Sequence, residues 1–160
     1  MRKLPIFFVM LFLMLICLSL TACSPTYNGL ILEKQGNEYA VIGVQDKNIR
    51  AIEIPAKYKD KKITIIDKKA FEGCVFLEEV LLPETIHTLE YASFENCKAL
   101  QSINIPNSAI NISGAVFRNC RSLRSINLPE GITEMPFSFF ENCSSLESIN
   151  IPSSVTKIDT

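Results

Sequence analysis

The sequence predicts a β-rich solenoid, in which short coils of chain stack on one another in register. Four segments carry Phe and Cys three residues apart, and successive segments are 23 residues apart each time. Within every interval a short alternating apolar stretch ends at a proline, as a strand does where the missing N–H costs least. One such unit cannot bury its apolar side alone, so neighbouring units must cover one another. The repeated residues are Phe71, Phe94, Phe117 and Phe140, then Cys74, Cys97, Cys120 and Cys143, and then Pro83, Pro106, Pro129 and Pro152.

The apolar positions within each unit give the local structure of a repeat. They follow the spacing L-x-x-L-x-L, which at a fixed period between about 20 and 29 is the leucine-rich repeat pattern, so we predict one strand per repeat. Gly or Asn directly precedes each Cys, and both residue types tolerate a left-handed backbone. We therefore predict a short helical or 3-10 turn around each Phe, closed by that residue. The closing residues are Gly73, Asn96, Asn119 and Asn142.

The repeating unit AFxxC, followed by Leu, by I-x-I-P and by two further apolar residues, resembles a known family. It is similar to the BspA-type, or treponemal-type, leucine-rich repeat of bacterial surface proteins. The resemblance covers residues 49–160. It implies a leucine-rich-repeat solenoid and a function in adhesion to host or neighbouring-cell proteins, often those of the extracellular matrix.

The chain before the regular repeats predicts a cap. Residues 30–69 include LILEKQGNEYAVIGV, whose two apolar runs flank Gln-Gly-Asn as in a β-hairpin, and IRAIEIP, a coil without its Phe-Cys turn. The next stretch is five residues longer than in later repeats, and we interpret the extra KYKDKK as a polar loop. Residues 70–160 form four 23-residue repeats without a C-terminal cap. The open last coil predicts self-association or a truncated protein.

The start of the chain has the layout of a secretory signal. Residues 1–22 combine a basic start, an apolar run and small residues before Cys23. A cysteine in this place resembles the bacterial lipobox, which implies cleavage and acylation at Cys23, with residues 23–29 as a short linker. The protein would then be extracytoplasmic, lipid-anchored to a bacterial membrane, at the cell surface or outer membrane. The alternative is an uncleaved anchor, although an apolar run of about 17 residues is short for spanning.

Charge and motifs exclude several function classes. Without Arg2 and Lys3 the chain has 14 basic and 17 acidic residues, a net charge of −3, which argues against a nucleic-acid partner. No phosphate loop, serine-nucleophile motif or H-E-x-x-H is present, and His87 is the only histidine. The cysteines lack the C-x-x-C pairs of a zinc site. We predict no enzyme, no cofactor and no metal, and we favour buried free thiols over disulfides between adjacent coils.

The outward strand positions are the candidate protein-binding residues, because such solenoids use their extended sheet for recognition. The alternative for the asparagines is a solvated edge whose amides bond along the stack. A second function class is an envelope scaffold that holds a partner at its own membrane, since the linker keeps the body close to the bilayer. The candidates are Glu53, Glu79, Leu81, Ser102, Asn104, Ser125, Asn127, Ser148 and Asn150.

Aromatic and apolar residues outside the repeat pattern give further expectations. Phe76 and Leu81 stand where later repeats are polar, so they either form a contact patch or pack beneath the KYKDKK loop. Phe140 belongs to the core by register, whereas Phe137 and Phe139 are expected to be exposed.

Charged residues also follow the repeat. Arg118 takes the row of Glu95 and Glu141, which predicts ion pairs between neighbouring coils. The lysines of the KYKDKK segment either keep an inserted loop soluble or contact anionic lipid or polymer near the anchor. These lysines are Lys57, Lys59, Lys61 and Lys62.

Overall fold

The structure, a computed structural model, describes residues 25–159, which form 14 short strands and no helix. This part of the chain therefore has no helix of the length and apolarity needed to cross a membrane. The predicted signal and the lipidation site at Cys23 lie outside the described residues. The strands are β1 (Thr26–Tyr27), β2 (Leu30–Gln35), β3 (Glu38–Val44), β4 (Ala51–Glu53), β5 (Lys57–Tyr58), β6 (Lys61–Ile66), β7 (Glu79–Leu81), β8 (Thr88–Leu89), β9 (Ser102–Asn104), β10 (Asn111–Ile112), β11 (Ser125–Asn127), β12 (Glu134–Met135), β13 (Ser148–Asn150) and β14 (Lys157–Ile158).

The coils build two faces of parallel strands, which confirms the leucine-rich-repeat solenoid. The front sheet consists of β4, β7, β9, β11 and β13, and the back sheet of β3, β6, β8, β10, β12 and β14. Equivalent repeat positions pair in register, as Val80 does with Ile103 and Ile126 with Ile149. Both ladders break at one level, between β9 and β11 in front and between β10 and β12 behind. We call this level the seam.

The Phe-Cys segments form a third side of each coil, which we call the turn side. Gly73, Asn96, Asn119 and Asn142 are all left-handed, with φ between 59° and 72°, as predicted. A second left-handed row, which the sequence did not predict, precedes each Phe at Lys69, Ala92, Ala115 and Ser138. Since two left-handed residues in each repeat prevent consecutive helical bonding, the expected helical or 3-10 turn is instead a series of separate hydrogen-bonded turns.

Backbone hydrogen bonds join neighbouring coils along the turn side. The Phe71 N–H donates to the Ser93 carbonyl at 2.8 Å, and the Phe94 N–H donates to the Val116 carbonyl at 3.1 Å. The Asn96 N–H donates to the Arg118 carbonyl at 2.8 Å. Two of these bonds cross the seam, so the turn side stays connected where both sheets are interrupted.

The core lies between the three sides and contains the predicted ladder of rings. Phe71, Phe94 and Phe117 are fully buried. The Phe71 and Phe94 ring centroids are 5.0 Å apart with an interplanar angle of 7°, and the Phe94 and Phe117 rings are 5.8 Å apart at 12°. Phe140 continues the stack 6.0 Å from Phe117. Offset stacking of this kind adds about 0.5–1.5 kcal/mol per pair beyond the burial of apolar area.

One expectation for the apolar residues outside the repeat pattern is wrong, and one of two alternatives is excluded. Phe139 is only 3% exposed, because it takes the inward row of Ser93 and Val116 and packs on the Phe117 ring at 5.4 Å. Phe76 and Leu81 are 48% and 46% exposed, so neither is buried beneath the KYKDKK segment. Phe137 is exposed, as predicted.

The N-terminal cap is a β-hairpin of β2 and β3, and β3 continues into the back sheet by parallel pairing with β6. The KYKDKK segment is not a loop, since Lys57 and Tyr58 of β5 pair antiparallel with Lys62 and Lys61 of β6. Its two turn residues, Lys59 and Asp60, have φ of 47° and 61°, the left-handed pair of a type I′ hairpin. The residue boundaries of the predicted segments stay predictions.

Candidate interaction surface

The front sheet presents one residue inward and two outward on each strand. In β7, β9 and β11 the central residue is buried and both neighbours are exposed. Side chains alternate across a strand, so this pattern follows from the I-x-I-P spacing. Because the strands are paired in register on each side of the seam, the outward residues form two rows on each side of it.

A shallow groove of about 320 Å³ crosses the front sheet at the seam. Beneath it lie Val80, Ile103 and Ile126, whose side chains point into the core, so the backbone of these residues forms the floor. The groove runs over the gap between β9 and β11, where the ladder is interrupted. Its walls are the outward side chains of three strands, Glu79, Leu81, Ser102, Asn104, Ser125 and Asn127.

The structure brings the sequence-predicted candidates onto one face. Six of them line the groove, and Glu53 lines a second depression of about 190 Å³ together with Glu79 and Leu81. Ser148 and Asn150 lie on the next strand, in register with the groove residues. All nine are exposed. That they bind a ligand stays a prediction.

The asparagine row of the front sheet is not uniform. The Asn104 amide donates to the Leu82 carbonyl and accepts from the Leu82 N–H, both at 3.1 Å. It thus acts as an extra peptide group that extends the ladder between neighbouring coils. Asn127 and Asn150 have no side-chain hydrogen bond to any residue between 25 and 159. Of the three asparagines, Asn104 therefore makes the bond along the stack that the solvated-edge alternative expected, and it makes that bond to backbone.

An amide ladder does exist, on the turn side. Asn119 Nδ2 donates to Asn96 Oδ1 at 3.0 Å, and Asn142 Nδ2 donates to Asn119 Oδ1 at 2.9 Å. For these residues the sequence predicts only the left-handed turn. Their recurrence every 23 residues was the available signal, since equivalent side chains of stacked coils lie within bonding reach.

Ion pairs between coils lie beside these rows. The Arg118 guanidinium donates to Glu95 Oε1 at 2.6 Å, and this hydrogen bond raises the arginine pKa. Of its two predicted partners, Glu95 makes the ion pair. Arg50 pairs with Glu78 in the same way at the first coil. His87 Nε2 lies 3.6 Å from Glu38, outside the front sheet.

The cysteine row is a ladder of free thiols. Cys74, Cys97, Cys120 and Cys143 are buried and unpaired, as favoured from the sequence. The Cys97 Sγ donates to the Phe71 carbonyl at 3.2 Å, and the Cys120 Sγ donates to the Phe94 carbonyl at the same distance. Burial raises the pKa of Cys97 well above its ordinary value and raises that of Cys143 to about 11. Thiols held neutral in this way are poor nucleophiles and poor metal ligands.

Within residues 25–159 no three His, Cys, Asp or Glu side chains are grouped so as to hold a metal ion. The arrangement offers a polar face on a rigid stack, with its thiols on the inside.

The repeats of this chain match the model of a known protein family. The model of the BspA type leucine-rich repeat region matches residues 44–160 in six copies. The chain belongs to this family. The resemblance predicted from the AFxxC unit is confirmed, and the front sheet is the strand face of the BspA-type repeats.

Solved structures share the fold. A leucine-rich repeat protein from Bacteroides ovatus has 28% identity and a TM-score of 0.73, over 84% of this chain and 37% of that one. TpLRR from T. pallidum has 24% identity and a TM-score of 0.78, over 84% of this chain and 64% of its own. A leucine-rich cell surface protein from Faecalibacterium prausnitzii has 25% identity and a TM-score of 0.59, over 81% of this chain and 40% of that one. The chain thus spans less than two thirds of each. No curated protein matches it.

Proposed function

We propose that this chain is a lipid-anchored, extracytoplasmic interaction protein whose front sheet binds a protein partner. The observation that carries the proposal is the front-sheet groove, which is lined by exposed Ser and Asn side chains of β9 and β11 and by Glu79 and Leu81 of β7. Leucine-rich repeat proteins generally mediate protein interactions, and solenoids do so through such extended surfaces. Leu81 adds an exposed apolar contact at one end.

The proposed partner is a surface or matrix protein of a host or neighbouring cell, as in adhesion. Support comes from the family, and from the F. prausnitzii relative, which is described as a cell surface protein. The alternative is an envelope scaffold that holds a partner at its own membrane. It is favoured by the position of β1, which begins three residues after the proposed lipidated Cys23 and so keeps the solenoid near the bilayer.

We propose binding rather than catalysis. The four described thiols are buried and their pKa values are raised, so they stay protonated at neutral pH. The front-sheet groove is lined by one carboxylate, Glu79, and by no histidine or cysteine. General acid and base work needs titratable groups placed at the reacting atoms, and this groove does not pair them.

Site-directed photocrosslinking on intact cells tests the binding surface. A photoreactive residue at Ser125, in the groove, is expected to give adducts of discrete mass with a protein partner. The matched control carries the same residue at Lys98, which is exposed on the turn side. Equal adducts from both positions, or none from Ser125, would contradict the proposed surface.

The anchor and the side of the membrane need separate measurements. Fatty-acid labelling of the full chain is expected to mark the wild type and to be lost in Cys23→Ala. Trypsin added to intact cells then separates the two partner classes. Cleavage from outside supports adhesion, whereas complete protection supports the envelope scaffold and contradicts adhesion.

Self-association is a second candidate, favoured by the last described coil. Ile149, Ile151 and Ile158 are 36%, 47% and 64% exposed, although their equivalents in earlier coils face the core. A second copy stacked on this coil would cover them. Light scattering is expected to show a concentration-dependent mass that Ile158→Lys lowers to that of a monomer. A monomer at every concentration in the wild type would contradict self-association.

A further inference from the structure

The positive charge of the chain is concentrated in the β5–β6 hairpin. Residues 57–62, which we call the basic hairpin, carry four lysines and Asp60, a net charge of +3. The rest of residues 23–160 has ten basic and 16 acidic residues, a net charge of −6. The molecule therefore has one basic end on an acidic body, and that end favours an anionic partner.

Pairing within the basic hairpin places like charges together. Lys57 lies directly opposite Lys62 in the register of β5 and β6. Like charges in this position destabilise a strand pair. An opposite charge at either position would favour the hairpin more, so Lys57 and Lys62 do not serve its folding. An anionic surface against the hairpin would relieve the repulsion.

Aromatic side chains flank the lysines. The Tyr58 ring lies 5.4 Å from the Tyr27 ring and 5.0 Å from the Tyr39 ring, centroid to centroid. The Lys59 Nζ lies 5.2 Å from the Tyr58 centroid. Tyr27 is 40% exposed. Tyrosine and lysine both combine an apolar body with a polar tip, which suits them to the boundary between lipid and water.

The same end of the molecule is tied to the proposed anchor. Tyr27 follows Cys23 by four residues, so its Cα lies within about 14 Å of the Cys23 Cα even in a fully extended chain. Because the Tyr27 ring packs on Tyr58, the basic hairpin is held at that short distance too. A lipid on Cys23 would bring these lysines to the headgroups.

We propose that the basic hairpin, with Tyr27 and Tyr58, rests on anionic lipid headgroups of the bilayer in which Cys23 is anchored. This inference rests on the lipid attachment proposed above. The contact orients the solenoid with its capped end on the membrane and the later coils of the front sheet away from it. Each lysine near an anionic surface is expected to strengthen the contact about fivefold.

Lysine acetylation of the mature lipidated protein in vesicles tests the contact. Lys57, Lys59 and Lys62 are expected to react at least five times more slowly on phosphatidylglycerol–phosphatidylcholine vesicles than on phosphatidylcholine vesicles. Lys98 and Lys157, exposed on other coils, are expected to react equally on both. Salt at about 1 M shortens the Debye length to about 3 Å and should abolish the difference.

A charge-reversal pair separates membrane contact from folding. Lys62→Glu replaces a like-charge pair with an opposite-charge pair, so the hairpin should fold at least as well while Lys57 loses its protection. Lys98→Glu makes the same charge change on the turn side and should keep the protection. Loss of protection in both variants would overturn the proposal, because net charge alone would then explain it.

Two further outcomes overturn the proposal. One is equal acetylation of the wild-type hairpin on both vesicle types. The other is equal protection by soluble polyphosphate without vesicles, which would identify an anionic polymer as the partner. Mass spectrometry of the N-terminal peptide keeps the two proposals apart. A Cys23 without lipid overturns the anchor and this inference together, whereas a lipidated but unprotected protein overturns this inference alone.

Discussion

The turn side and the two sheets connect the same coils in different ways. On the turn side a ring stack, a thiol row and an amide ladder bridge the coils, and backbone bonds continue across the seam. The front and back sheets have strands of two or three residues in the regular repeats, and both are interrupted at the seam. The difference teaches that side chains repeated on the turn side connect coils that the sheets alone leave unpaired at the seam.

The largest expected effect comes from breaking the ring stack on the turn side. Phe94→Ala removes a fully buried ring that packs between Phe71 and Phe117, and it should lower the free energy of unfolding by about 3–5 kcal/mol. Urea denaturation measures this change. Phe76→Ala, at an exposed phenylalanine, should stay within about 0.5 kcal/mol of the wild type. Similar losses for both would mean that the stack has no special role.

The thiol row should make the turn side sensitive to alkali. Burial raises the pKa of Cys97, so its contribution to stability is complete below the ordinary thiol pKa of about 8.5 and is lost as the pH rises towards the folded-state pKa. In that window the free energy of unfolding should fall by about 1.4 kcal/mol per pH unit more steeply in the wild type than in Cys97→Ala. Denaturation from pH 8 to 10.5 measures both slopes, and tyrosines and lysines affect the two proteins alike. Equal slopes would show that Cys97 ionises as freely in the folded protein as in the unfolded one.

Two asparagines of the same repeat, one on the turn side and one on the front sheet, are expected to differ in their contribution to stability. Asn119→Ala removes both ladder bonds and places alanine at φ 62°, so it should destabilise the protein by about 1–3 kcal/mol. Asn127→Ala, on the front sheet, removes no side-chain bond among residues 25–159 and should cost less than about 0.5 kcal/mol. Thermal and urea unfolding of both variants measures the difference. A front-sheet variant that costs as much as Asn119→Ala would contradict the division between the two sides.

The smallest expected effect has the opposite sign. The buried Ser93 hydroxyl has no hydrogen-bond partner among the described residues, and the equivalent position in the preceding repeat is Ala70. Ser93→Ala should therefore raise the free energy of unfolding by about 1 kcal/mol, since an unsatisfied buried hydroxyl is removed. Ser102→Ala, exposed on the front sheet, serves as the control and should leave it unchanged. A destabilised Ser93→Ala would indicate that the hydroxyl does find a partner.

The sequence predicted most of the repeating features, apart from the second left-handed row and the turn-side amide ladder, and it missed features that occur once. The 23-residue recurrence determined the buried Phe and Cys rows, the left-handed Gly and Asn row and the outward front-sheet residues. The type I′ hairpin at Lys59 and Asp60 was missed because neither residue is the glycine that usually marks such a turn. Phe139 was misplaced because the inward row that it joins holds Ala, Ser and Val in the earlier repeats.

The interruption of both sheets at the seam could not be predicted from the sequence either. The repeats on its two sides share the same I-N-I/L-P strand, so nothing local distinguishes them. The interruption depends on how two whole coils approach each other. The Gly131 and Ile110 pair illustrates this, because a Cβ at Gly131 would lie 2.6 Å from the Ile110 Cγ2. Such a contact between coils follows from packing and not from periodicity.

Site-resolved alkylation of the cysteines tests the stacked, dry turn side most directly. Iodoacetamide is added to the folded full chain at pH 8, and peptide mass spectrometry follows the four buried thiols, with Ser102→Cys as an exposed reference on the front sheet. We predict rapid modification at position 102, and modification of Cys74, Cys97, Cys120 and Cys143 only after denaturation. Alkylation of these four in the folded protein at the rate of the reference would contradict the account.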